Sequence, residues 1–323
     1  MDMSPPRAEL ALLPTPLARA SGLESALGAG PLFLKRDDLT GFGIAGNKAR
    51  ALEFLMGAAV AEGADIFIAA GSPSSNFCAA AAMAARIVGM DCDLVFPGRP
   101  PSAPSANVEL ARAAGARLLF DVVETRDLLD DAVLEHAAAL RAQGRRPYAV
   151  PRGGATAVGA LGYAYAAQEL AEQCDLAEVA PRTVVVPTGS GGTQAGLVAG
   201  LVGFGLPWRL IGASVSRPAP GLAERILHIS RACAAAMGLD GPSADDVDVR
   251  DCRGAGFGVA SAEDRASSRL ALEQEGLLLD DYYGAKAMTL FRTLLVAEAP
   301  TPAVFWHTGG VAAALAGLVG STS

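Results

Sequence analysis

Short apolar runs alternate with helical patterns along almost the whole chain, and few architectures accept that order. The strand-like runs are 31–36, 65–70, 92–97, 117–122, 147–151, 183–187, 209–215, 246–251 and 302–307. Helical patterns fill 76–89, 105–115, 126–143, 157–174, 193–203, 219–237, 262–275 and 284–298, and another opens at Lys48. Strands of this length separated by helices read as βαβ units, which build parallel sheets covered on both faces. A chain of 323 residues has material for two lobes and more than one such sheet. The polar stretches 98–107 and 240–246 read as loops within the lobes, not as tethers, so the lobes are expected to pack closely. In open parallel sheets, ligands sit beyond the carboxyl ends of the strands, so chemistry should be sought in the residues just after each strand.

Charge narrows the function. Hydrophobic residues make up 51% of the chain, charged residues 19%, and the formal net charge is −8. That balance gives no electrostatic footprint for nucleic acid. Alanine-rich stretches such as 78–85 are too short to span a membrane. The opening MDMSPPRAEL has no basic region followed by an apolar run, so a secretory leader is not expected and a cytoplasmic location is. Five scattered cysteines, none in C-x-x-C, and three histidines offer no recognisable metal-ligand spacing, so no metal is expected.

Of 26 lysines and arginines, only Lys35, Lys48 and Lys286 are lysines. A chain that uses arginine for almost every cation keeps lysine where arginine cannot substitute. Arginine cannot lose its proton or form a Schiff base; a desolvated lysine can do both. Chance survival is the plainer reading for Lys35, and Lys286, following two tyrosines on a helix, reads as structural.

Two glycine-rich stretches compete for a phosphate. The first, 41-GFGIAG-46, spells G-x-G-x-x-G, but the polar run 36-RDDLT-40 separates it from its strand, and Asn47 stands where a Walker lysine would be. In the second, the strand 183–187 leads through Thr188 into Gly189-Ser190-Gly191-Gly192-Thr193, which opens a helix. Successive glycines let backbone N–H groups approach an anion, and the helix terminus adds partial positive charge, so this stretch reads as a cradle for one monophosphate. Lys48 then stands at the first turn of a helix, where helix polarity and burial favour the neutral amine. Ser75 and Asn76, after the strand 65–70, are helix-capping types that could also donate to a ring oxygen or move a proton. Tyr282 and Tyr283 offer a phenol as acid or base. Thr308 could contact a buried heterocycle nitrogen. His307, at a strand end, reads more readily as a packed core residue than as a catalyst.

In order, 13-LPTPL-17, 34-LKRDDLTGFGIAGNKARALEF-54, 75-SN-76, 153-GGATAVGALGY-163, 187-PTGSGGTQAGL-197, 279-LDDYYGAKAM-288 and 307-HTGG-310 resemble the D-cysteine desulfhydrase and 1-aminocyclopropane-1-carboxylate (ACC) deaminase family. The resemblance covers essentially the whole chain. It implies a pyridoxal 5'-phosphate (PLP) enzyme of the tryptophan synthase β-like fold (fold type II), an α/β fold of two domains, each a mostly parallel sheet flanked by helices. The expected larger, PLP-binding domain takes 1–51 and 161–323, and the smaller takes 52–160. Lys48 matches the Schiff-base lysine, Asn76 the partner of the PLP ring hydroxyl, and Gly189 through Thr193 the phosphate loop. Thr308 matches the contact near the pyridine nitrogen, where a neutral hydroxyl would favour elimination over transamination. Tyr283 matches the active-site tyrosine, and Ser75 the serine near the substrate. A homodimer is implied by the resemblance alone.

The departures concern the substrate shell. Phe77 stands where the family usually has histidine or glutamine, Ala79 where it has arginine, and Phe257 where a second tyrosine is usual. Gly284 and Ala285 replace the larger residue and the glycine after Tyr283. The expected function is thus a PLP-dependent lyase or deaminase that releases ammonia and a 2-oxo acid from a small amino acid other than D-cysteine or ACC. The alternatives are a β-replacement synthase in a specialised biosynthetic pathway and a PLP-binding homologue without turnover.

Overall fold

The computed structural model describes residues 5–103, 105–297 and 299–320. Residues 1–4 of the opening, Pro104 of the expected loop and Glu298, the last of the helix expected over 284–298, lie outside the described residues. Chain contacts divide the protein into two units: Met1–Ala11 with Lys48–Gly162, and Leu12–Asn47 with Tyr163–Ser323.

The first unit holds a four-stranded, wholly parallel sheet built from β3 (Ile66–Ala70), β4 (Asp91–Pro97), β5 (Arg117–Val123) and β6 (Pro147–Ala149), in the order β5-β4-β3-β6. Every residue of β3 is buried, as a central parallel strand requires. Helices α2 (Lys48–Ala61), α3 (Asn76–Ile87), α4 (Ala106–Ala113) and α5 (Leu129–Ala142) belong to this unit. The expected boundaries put the chain start in the other domain, whereas residues up to Ala11 group with α2. Glu53 explains it: the buried carboxylate accepts N–H groups of Leu10 and Ala11 and pairs with Arg7, while its own carbonyl accepts the N–H of Ala8.

The second unit holds six strands: β1 (Leu17–Arg19), β2 (Leu32–Arg36), β7 (Thr183–Thr188), β8 (Arg209–Ser214), β9 (Asp248–Asp251) and β10 (Ala303–His307), in the order β1-β2-β10-β7-β8-β9. Only β1 runs antiparallel. Its helices are α1 (Ser21–Leu27), α6 (Ala157–Leu176, which begins in the first unit), α7 (Gly192–Gly203), α8 (Ala219–Ala236), α9 (Ala262–Glu275), α10 (Gly284–Val296) and α11 (Val311–Gly320). Register decides where the loops emerge. Phe305 pairs with Leu34 on one side and Val185 on the other, so β2, β10 and β7 end level and release their loops at one edge.

Under that edge lies a buried polar network. Both carboxylate oxygens of Asp37, which is fully buried, are used: Oδ1 accepts from Thr15 Oγ1 at 2.7 Å, and Oδ2 accepts from Tyr163 OH at 2.6 Å and Trp306 Nε1 at 2.9 Å. Lys35 donates to the Thr15 carbonyl and Gln173 Oε1, both at 2.7 Å, and pairs with Glu169. The network joins the segment before β1, β2, α6 and β10. Asp37→Ala would leave the Tyr163 and Trp306 donors buried without this acceptor, at about 1–3 kcal/mol each. Urea unfolding is expected to show a loss of at least about 2 kcal/mol in all.

Candidate active site

In the second unit, the phosphate-loop candidate leaves β7 at Gly189 and enters α7. The Gly189 carbonyl accepts from Ser216 Oγ at 3.3 Å, and the Ser190 carbonyl accepts from Arg225 Nε at 3.0 Å. A planar trans peptide points its N–H away from its carbonyl, so the N–H groups of Ser190 and Gly191 face the opposite side. Gly191, at the N-cap of α7, has φ 97°, a conformation that favours glycine, and no side chain caps the helix among the described residues. The N–H groups at the start of α7 are therefore left for a ligand.

Two further groups complete this end. Thr188 Oγ1, one residue before the loop, is buried with no hydrogen-bond partner among the described residues. Asn47 Nδ2 donates to Thr193 Oγ1 at 2.9 Å, and the Asn47 N–H donates to the Thr308 carbonyl at 2.9 Å. The sequence offered Asn47 only as a misfit to a nucleotide pattern. Its role arises from the level ends of β2, β10 and β7, which bring three distant loops together.

Thr308 follows His307, which is 2% exposed. Burial lowers the His307 pKa to about 4, although Asp38, 3.7 Å away, favours the charged form. The ring is thus neutral at pH 7, and its Nδ1 accepts the Gly309 N–H at 3.3 Å. It shapes the turn after β10 as a core residue.

Tyr283 stands at the N-cap of α10, with its ring against the candidate phosphate loop: a Cβ on Gly189 would lie 2.9 Å from Tyr283 Cε1. Asp280, which the sequence did not single out, holds it there. Asp280 Oδ1 accepts the N–H groups of Tyr282 and Tyr283, each at 2.8 Å. Burial raises the Asp280 pKa to about 6 even though these N–H groups favour the carboxylate. Phe257 packs edge-on to Tyr282 and Tyr283, with centroids 5.2 and 5.6 Å away. Lys286 donates to the carbonyls of Arg253 and Gly256, fixing the turn that carries Phe257. Two of the three lysines thus serve structure.

In the first unit, Lys48 opens α2 and directly follows Asn47 in the chain. The residue is half-buried, and desolvation, with no charged partner to offset it among the described residues, lowers its pKa to about 8. Roughly a tenth of the amine is then neutral at pH 7, far above the fraction for an exposed lysine. Ser75 is the N-cap of α3, its hydroxyl accepting from the Cys78 N–H at 3.2 Å. Asn76 accepts at Oδ1 from Asn107 Nδ2 at 2.9 Å. Phe77 is 1% exposed; a Cβ at Gly154 would lie 2.5 Å from its Cζ, so this glycine makes room for the ring. Ala79 is also buried.

Residues 8–309 match the family described as pyridoxal-phosphate dependent enzyme. The chain is 37% identical over 321 residues to a D-cysteine desulfhydrase of Klebsiella pneumoniae subsp. pneumoniae, covering 96% of both proteins. A crystal structure of an ACC deaminase homologue superposes with a TM-score of 0.87 at 33% identity, over 95% of this chain and 93% of that one. A threonine deaminase of T.th. shares the fold, with a TM-score of 0.65 at 21% identity over 92% of each chain. The chain belongs to the family of pyridoxal-phosphate dependent enzymes. Its fold is that of the fold type II members, and its cofactor is PLP. Among the described residues, no helix is long and apolar enough to cross a membrane, and no group of three or more His, Cys, Asp or Glu is placed to hold a metal ion.

The residues present fit PLP. The orphan Thr188 hydroxyl and the uncapped N-terminus of α7 suit a phosphate, and Lys48 supplies a partly neutral amine. The neutral His307 carries a stability consequence. Its folded pKa, about 4, lies below its unfolded value, so the unfolded chain binds the extra proton as pH falls from 6.5 to 4. That loss is on the order of 3 kcal/mol, opposed by Asp280, whose raised pKa works in the other direction. His307→Asn is expected to be less acid-sensitive than wild type when unfolding free energies at pH 7 and pH 4.5 are compared.

Proposed function

We propose that this enzyme is a lyase or deaminase that takes ammonia from a small amino acid and leaves a 2-oxo acid. The observation that carries the reading is Lys48, with its pKa lowered to about 8, covalently next to the residue that ties Thr193 to Thr308. The relatives named for D-cysteine desulfhydrase and ACC deaminase support the reaction class. PLP, when bound, supplies an electron sink that weakens bonds at the amino acid's Cα.

The chain's own groups take the remaining roles. Gly189 through Thr193, with Thr188, bind the phosphate; Asn76 donates to the ring oxygen; and the Thr308 hydroxyl meets the ring nitrogen. Lys48 would hold the cofactor through its neutral amine, and the same amine would serve as the base for the Cα proton. Tyr283, held by Asp280, protonates the group that leaves Cβ or, for a strained ring, the carbon freed when the ring opens. Ser75, whose oxygen accepts the Cys78 N–H in the cap, brings its hydroxyl close to the substrate. Water then divides the unsaturated product into ammonia and the 2-oxo acid.

Substrate choice reflects lost polarity. Phe77 and Ala79 are buried without a polar handle, and Phe257 offers an aromatic edge where a phenol would bind a polar group. The preferred substrate is less polar than D-cysteine, and the enzyme acts as a homodimer. With a panel of L- and D-amino acids, oxo acid should form from an apolar β-substituted member without any added nucleophile. Lys48→Ala should lower kcat by roughly 10²–10⁴-fold. Product only in the presence of a second nucleophile would instead identify a β-replacement synthase, and cofactor binding with no product would identify a binding protein.

A further inference from the structure

The loops after β3 and β4 leave the sheet of the first unit at one edge, because Ala70 pairs with Val95 in parallel register. The start of α4 therefore meets the loop 71–75 and the start of α3. Ser105 Oγ donates to the Pro73 carbonyl at 2.5 Å. Asn107, only 5% exposed, places Nδ2 at 2.9 Å from both the Ser74 carbonyl and Asn76 Oδ1.

These contacts fix two amides at once. The Ser74 carbonyl can only accept, so the Asn107 nitrogen, not its oxygen, must face it. The second hydrogen of that nitrogen is then directed at Asn76, which must answer with its oxygen. The Asn76 NH₂ group is left as the end available to a ligand. Asn107 Oδ1 is buried with no hydrogen-bond partner among the described residues, a cost set against the two bonds that its Nδ2 donates.

We propose that Asn107 is a positioning residue that sets which end of the Asn76 amide faces the cofactor, so that Asn76 presents a donor and never an acceptor. The inference rests on the reading that Asn76 meets the PLP ring oxygen. That oxygen carries negative charge or a lone pair toward its partner, so a flipped Asn76 would oppose an oxygen with an oxygen.

The test is PLP affinity of the apo protein, measured by fluorescence titration at pH 8, with thermal unfolding of each apo variant as the check on folding. Asn107→Ala frees the Asn76 amide to rotate and should weaken PLP binding about tenfold. Asn107→Asp puts an acceptor beside Asn76, draws its NH₂ away, and should weaken binding more than alanine does. In an Asn76→Ala background both substitutions should lose their effect, which a merely structural role would not produce. Equal effects of the Asn107 substitutions with and without Asn76 would overturn the proposal, as would Asp and Ala variants that bind as wild type. If Asn76→Ala alone leaves PLP affinity unchanged, the assignment of Asn76 has failed instead. Should the Asp variant not fold, Asn107→Ser replaces it, and its effect must likewise vanish in the Asn76→Ala background.

Discussion

Asn47 makes the two hydrogen bonds on which the rest of the site depends. Its side chain holds Thr193 at the mouth of α7, and its backbone N–H holds the Thr308 carbonyl after β10. One residue therefore ties the start of α7 to the turn after β10 that carries Thr308, and the next residue in the chain is Lys48. Glycine at position 46 serves the same approach. Its φ is +55°, and a Cβ there would fall 2.4 Å from the Thr308 carbonyl oxygen. In GFGIAG it is Gly46 that allows this close backbone contact, while Gly41 makes room for the Leu12 side chain.

That arrangement needs strands that end level and stay so. Parallel register brings β2, β10 and β7 to a common edge, and the Asp37 network joins the strand ends beneath it. Trp306, which donates to Asp37, is two residues before Thr308. The buried carboxylate thus transmits the position of β2 and α6 to the turn above β10. A second carboxylate, Asp280, does the same for Tyr283, and Gly310 yields space to it: a Cβ there would lie 2.2 Å from Asp280 Oδ2.

Much of the fold was legible because parallel strands, buried on both faces, are written as continuous apolar runs. β3, β7 and β10 fall within one residue of their expected limits. β1 was not legible: it has three residues, none fully buried, and lies antiparallel at an edge. α1 was missed for a similar reason, with Leu23 its only buried residue. In the candidate site, the proposed roles of the loop at Gly189 through Thr193 and of Lys48 rest on local signals, glycine after a strand and lysine in an arginine-rich chain. Those of Asn47, Asp280 and Asn107 do not. Asn47 and Asn107 act through partners 146 and 31 residues away, and Asp280 acts as a buried cap on backbone N–H groups. The nearest sequence hint was an acidic residue just before a helix, which reads as ordinary capping.

Everything proposed for the site requires that Lys48, and neither other lysine, carries the cofactor. Lys35 and Lys286 are each buried and already committed to structural acceptors. Borohydride reduction of the PLP-loaded enzyme, followed by peptide mass mapping, reads this directly. A pyridoxyl adduct is expected on the peptide containing Lys48 and on no other. An adduct on Lys35 or Lys286, or a reduced holoenzyme with no adduct at all, would contradict it.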